Sequence, residues 1–276
     1  MITTSTRWHK EADQVVLNVR FLLDKPWLVF ITVCIALVTS AMLGYKLALS
    51  TRINEDSHHH EHITGLRDGL FILLALLLGF TIAMVLPRFD QRSQLVVDEA
   101  NAIETTMLRA EMLPEPERDK TMELLREYVV VRRDFARQSL LDRPVLDRET
   151  QQTKALQRQL WQQTAVVTQQ NQTPVIVKYS EALTQMIEVA ENRLAAFENR
   201  VPKTVWLIIF MVAVFQTFAT GFSLKRRFWF SLLMTPLVVA VVMALVADLD
   251  SPHTGRIGIH QNSMERLVHD VIDSKE

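Results

Sequence analysis

Three clusters of polar side chains in this sequence have types and spacings that could do chemistry. His58, His59, His60 and His62 stand almost side by side. Neutral imidazoles that converge on one point bind zinc, copper or nickel. Here no cysteine lies close in sequence, and the nearby acids are Glu55, Asp56 and Glu61. A solvated loop explains the cluster more simply, and the four histidines are weak metal candidates. Asp98, Glu99, Asn101 and Glu104 form the second cluster. Paired carboxylates hold calcium or exchange protons with a substrate. On a helix, however, adjacent positions face different ways, so these side chains do not converge on one ligand unaided. Helix-surface charge or hydrogen bonding between helices is the plainer expectation. Asp248 and Asp250 form the third. Acids at a membrane boundary sit in water or pair with arginine; a functional gate is the sharper alternative.

No phosphate-binding loop, dinucleotide glycine pattern, zincin helix or nucleophile elbow is present. No serine is set for nucleophilic attack. The single cysteine, Cys34, lies in an apolar run that disfavours its thiolate, and it excludes an intrachain disulfide. The expectation is a protein that is not an enzyme and carries no cofactor. A net charge of −1 gives no reason to expect nucleic acid as a partner.

The elements that must position these groups are membrane helices. Nearly half of the 276 residues are apolar, and they are segregated into long uncharged runs. About 20 apolar residues in helix cross a bilayer. Trp27–Leu49, Gly69–Leu86, Thr204–Ser223 and Phe228–Ala247 meet that length or come close to it. Pro26 begins the first, Pro87 stops the second and Pro236 kinks the fourth. None holds an acid or base at mid-span, which argues against proton relays and ion-coupled transport. Trp27, Trp206 and Trp229 lie near span ends, where aromatic belts form.

The rest reads as helix. Residues 1–25 form an interfacial or packing helix, with Trp8, Val15, Val16, Val19 and Leu22 at helical spacing. Residues 26–86 hold the first two spans, and 87–203 a helical domain. Residues 204–247 hold the last two spans, and 248–276 a C-terminal tail. Within the domain, segments are expected to Leu113, over 117–141, over 147–169 around Leu156, Leu160 and Trp161, and from Pro174 onward. Arg7, Lys10, Arg20, Lys25, Arg88, Arg92, Arg193, Arg200, Lys203, Arg256 and Arg266 gather on one side of the spans. That side carries both termini and the domain and is assigned to the cytoplasm. Lys225, Arg226 and Arg227 oppose the assignment from the short loop on the far side.

Three stretches resemble a bacterial membrane family described as bestrophin-like. One is Pro87-Arg88-Phe89-Asp90-Gln91-Arg92, continuing through Leu95 to Ile103, then Leu108-Arg109-Ala110 and Leu113-Pro114. The next is Asn199-Arg200-Val201-Pro202 before the Trp206 span. The last is Asp248-Leu249-Asp250 with Pro252, Gly255, Arg256 and Gln261. Asp90, Asp98, Glu99, Asn101, Asp248 and Asp250 are the polar motif residues. Glu104 and Ser251 depart from the family pattern, where glycine and arginine are frequent.

The resemblance implies an all-α integral membrane protein with four spans and a helical cytoplasmic domain between spans two and three. By further analogy it implies an oligomeric, pentameric, anion-conducting channel of the bacterial inner membrane, embedded in lipid and lined by span two. Thr81, Val85, Arg88 and Arg92 share one helix stripe. They are the expected pore residues, with Thr81 and Val85 as the constriction and the arginines favouring anions at the inner mouth. Helix packing and charge at the membrane boundary account for the same residues without a pore. A non-conducting scaffold or sensor that binds a protein partner through its cytoplasmic helices is the competing expectation.

Overall fold

The computed structural model describes residues 25–51, 57–138, 143–170, 173–224, 229–251 and 262–273. Most of these residues are helical, with no strand among them. The helices are α1 (Pro26–Thr51), α2 (Ser57–Ala110), α3 (Glu117–Gln138), α4 (Arg143–Gln170), α5 (Pro174–Glu198), α6 (Lys203–Ser223), α7 (Trp229–Asp250) and α8 (Asn262–Asp273). Four helical stretches, within Pro26–Ser50, His62–Ala110, Pro174–Ser223 and Leu232–Asp250, are long and apolar enough to cross a membrane. The chain is an integral membrane protein with four transmembrane helices.

It divides into two compact units. One comprises Met1–Pro87 and Arg200–Ile257, the other Arg88–Asn199 and Gly258–Glu276.

In the first unit α1 packs against α6 and α7. Helices in lipid have little hydrophobic drive to associate, so close backbone approach and polar contacts hold them. Gly44 and Gly221 supply the approach. A Cβ on Gly44 would overlap the Phe218 carbonyl, and one on Gly221 would overlap the Ala41 carbonyl. Ser40 adds a hydroxyl that donates to the Val214 carbonyl at 2.9 Å. At the start of span two, Arg67 donates to the Ser223 hydroxyl at 3.3 Å and to its neighbour Asp68. Asp250 accepts from the Val201 N–H at 3.0 Å, so the buried end of α7 holds the turn that leads into α6.

The second unit is built on a contiguous apolar core. Ile103, Leu125, Tyr128, Leu160, Leu183 and Met186 are among its fully buried members. The final turn of α2 tightens, with Leu113 N–H bonding the Ala110 carbonyl at 3.0 Å, before Pro114. Thr173 caps α5 by accepting from the Ile176 N–H, and Pro174 fills the first helical position.

Several expectations change. Residues 248–276 are not simply a tail: α8 packs against α3 and buries Met264, Leu267 and Val268 in the core. Their spacing of three and one, continued at Val271, is an amphipathic stripe. Trp161, expected to pack on neighbouring helices or on another subunit, is 50% exposed within the chain. His58, His59 and His60 lie in the first turn of α2 rather than in a loop. The expected helix of residues 1–24, the Lys225-Arg226-Arg227 cluster, and Pro252, Gly255, Arg256 and Gln261 lie outside the described residues.

Candidate functional site

Span two is the element to which the pore expectation was attached, and its two faces differ sharply. A helix advances about 100° per residue. Leu74, Leu78, Thr81 and Val85 therefore share one side, while Ile72, Leu76 and Phe80 lie roughly opposite. The first set is buried within the chain, with Thr81 at 2% and Val85 at 0% exposure. The second is open, with Ile72 at 68%, Leu76 at 53% and Phe80 at 65%. Gly79 and Ala83 share this open side. The Thr81 hydroxyl donates to the Leu77 carbonyl of its own helix at 2.7 Å. Arg88 is half-buried and Arg92 buried. The stripe read from spacing is thus a real stripe, but it faces protein. Within the single chain Thr81, Val85 and Arg92 are covered, and Arg88 is half-covered.

In the second unit the acidic motif behind span two has one deeply buried member. Glu99 is 0% exposed and accepts charge-assisted hydrogen bonds from two guanidiniums, Arg132 of α3 and Arg193 of α5. Both arginines are as buried as their partner. Burial alone would raise the Glu99 pKa, but the two cations outweigh it and hold it below its usual 4.5. Arg193 also lies over the Phe197 ring, 5.7 Å from its centre. Tyr128 sits beside this cluster and accepts a long hydrogen bond from Gln157 at 3.4 Å. Burial pushes its phenol up to about 12.

The other motif residues scatter. Asp98 is half-buried and accepts from Gln94 at 2.9 Å, one turn earlier. Asp90, Asn101 and Glu104 are exposed. Asp248 and Asp250 are buried, and Asp250 meets the Val201 stretch. Two of the three sequence stretches therefore meet in space as a structural joint. His62 is exposed, and the side chains of His58, His59 and His60 lie outside the described residues. Among the described residues no group of histidine, cysteine, aspartate and glutamate side chains is placed to hold a metal. Arg132 and Arg193, 33 and 94 residues from Glu99, were missed, because nothing local in the sequence marks them as its partners.

A bestrophin-like domain model matches residues 33–264. The chain belongs to the bestrophin-like family. The bestrophin-like fold extends to solved structures. A crystal structure of a point variant of a bacterial bestrophin homologue from Klebsiella pneumoniae superposes with a TM-score of 0.61 at 15% identity. It covers 88% of this chain and 98% of that one. A second, of a variant membrane protein, gives 0.59 at 16% identity with the same coverage. At these identities the likeness establishes fold. No curated protein sequence matches the bestrophin-like chain.

Proposed function

We propose that the protein is an oligomeric ion channel of the bacterial inner membrane, conducting anions along an axis lined by span two. The observation that carries this reading is the open face of that span. Ile72, Leu76 and Phe80 stand out from the chain at four-residue intervals, with Gly79 and Ala83 beside them. In a closed ring of subunits, such a face forms an apolar constriction around the axis. Thr81 and Val85 lie behind it as packing residues. Arg88 and Arg92, at the inner end of the span, bias the local field toward anions. Family membership and the bestrophin-like fold support the assembly, with a pentamer as the expected ring. The balance of lysine and arginine supports a cytoplasmic position for the helical unit and both termini.

The test is chloride efflux from proteoliposomes containing purified protein. Ile72→Ala, Leu76→Ala and Phe80→Ala should change efflux several-fold, while Thr81→Ala should leave flux per folded oligomer near wild type. Efflux altered only by Thr81 and Val85 substitutions would reverse the assignment of faces. No efflux from an intact oligomer across pH, calcium and voltage would favour the scaffold or sensor.

A further inference from the structure

The second unit carries an open cleft of about 400 Å3 between α4 and α5, and neither the fold nor the proposed conduction accounts for it. From α4 come Lys154, Gln157, Arg158 and Trp161, at spacings of three, one and three that put all four on one helix face. From α5 come Ile187 and Glu191, one turn apart. Trp161 keeps half its surface open on this cleft. Exposed tryptophan is costly to leave in water, and a ring beside cations is a common way to use it.

Charge on the cleft favours an anion. Lys154 and Arg158 face one carboxylate, Glu191, which lies 3.7 Å from the Lys154 ammonium. Both members of that pair are nearly half exposed, so water screens them and a stronger anion can compete for the lysine. The inner end is lined largely by polar side chains. A cavity of about 10 Å3 there is bounded by Arg132, Thr153, Lys154, Gln157 and Glu191. That is about the room one water needs. The Thr153 side chain is 5% exposed, and its hydroxyl oxygen has no hydrogen-bond partner among the described residues. A buried hydroxyl in that condition costs free energy unless something bridges to it. A ligand seated in the cleft, with one water behind it, satisfies that hydroxyl.

We propose that this cleft binds a small organic anion built on a planar ring. The ring lies against Trp161 and Ile187, and the anionic group is held by Lys154 and Arg158. A volume of this size suits a ligand of one or two rings. Charge-assisted bonds from an ammonium and a guanidinium fix its orientation. The same chemistry is offered by a nucleoside monophosphate and by an aromatic carboxylate. The site is independent of whether the channel conducts.

The experiment uses full-length protein in detergent, titrated with adenosine monophosphate, with benzoate and with inorganic phosphate alone. Intrinsic tryptophan fluorescence and the thermal midpoint are the readouts. At least one ring-bearing probe should saturate and raise the midpoint, and phosphate alone should bind at least tenfold more weakly. Adenosine monophosphate as the tighter probe identifies a phosphoryl ligand, and benzoate as the tighter probe a carboxylate. Lys154→Gln with Arg158→Gln should weaken binding at least tenfold, and Trp161→Leu about fivefold. Glu191→Gln should tighten it, which loss of structure cannot do. Saturation by neither ring-bearing probe overturns the proposal. So does equal binding of phosphate alone, or affinity that survives the double substitution. Trp161 shielded from acrylamide in the wild-type oligomer also overturns it, since a second copy would then cover the cleft.

Discussion

Replacing Glu99 by glutamine keeps its shape and removes one charge, and the buried cluster fixes what should follow. Two guanidiniums, each buried to within a few per cent, converge on that carboxylate. One close ion contact at an effective dielectric near 20 is worth about 4 kcal/mol. Two contacts give roughly 8 kcal/mol gross, and desolvation of the carboxylate returns several of these. The net loss on Glu99→Gln is therefore about 3–5 kcal/mol, because two buried cations remain without a counter-charge. Urea unfolding in detergent micelles, followed by circular dichroism and tryptophan fluorescence, measures it. The sign with pH is also fixed. The folded Glu99 pKa lies below 4.5, so its contribution is present above 4.5 and fades as pH falls through the folded value. Wild type should lose its advantage over Glu99→Gln only below pH 4.5. A variant within about 0.5 kcal/mol of wild type at neutral pH would refute the reasoning, being no more than an ordinary surface change. A difference independent of pH down to full unfolding would refute it too.

Tyr128 gives the alkaline counterpart. Its phenol is raised to about 12, so the stability it lends is complete below about pH 10 and is lost as pH rises through 12. Tyr128→Phe should flatten the alkaline limb of the unfolding curve, at a cost of about 0.5–1.5 kcal/mol near neutrality for the lost hydrogen bond. Gly221→Ala places a methyl group on the Ala41 carbonyl and forces α1 and α6 apart. Strain of about 1–3 kcal/mol is expected, read as a lower thermal midpoint of the purified protein. Gly79→Ala, at a glycine with open space around it, is the control that should do little of this.

Segregated apolar runs were enough to read four spans from the sequence, and the bounds of α1 and α6 fall within a residue or two of the expected ones. Pro174 marked the start of α5 for the reason given by its fixed φ. The faces of span two were harder. Spacing establishes that Thr81, Val85, Arg88 and Arg92 are co-facial, but a membrane helix is apolar on both sides, so hydrophobicity does not say which side meets protein. In a water-soluble helix the polar side would have answered. Glu99 stood out among the motif acids only as a type; its burial depends on arginines far along the chain. Trp161 directly follows Leu160 and is turned about 100° from it, so it lies off the Leu156 and Leu160 stripe and opens onto the cleft. The α8 stripe is legible in Met264, Leu267, Val268 and Val271, but the charged residues between them make the segment read as a polar tail.

The place of α8 in the core has a consequence for the order of synthesis. The second unit is assembled from residues on both sides of the last two spans, 88–199 and 258–276. When the ribosome has finished α5, the face of α3 that Met264, Leu267 and Val268 will cover has no cover yet. Two further spans must be made before the covering helix exists. At about 5–20 residues per second, the roughly 65 residues from the end of α5 to Met264 take several seconds. During that interval the unit presents an unfinished apolar surface. Chaperone occupancy should therefore peak on chains arrested after α7 and fall once α8 has emerged.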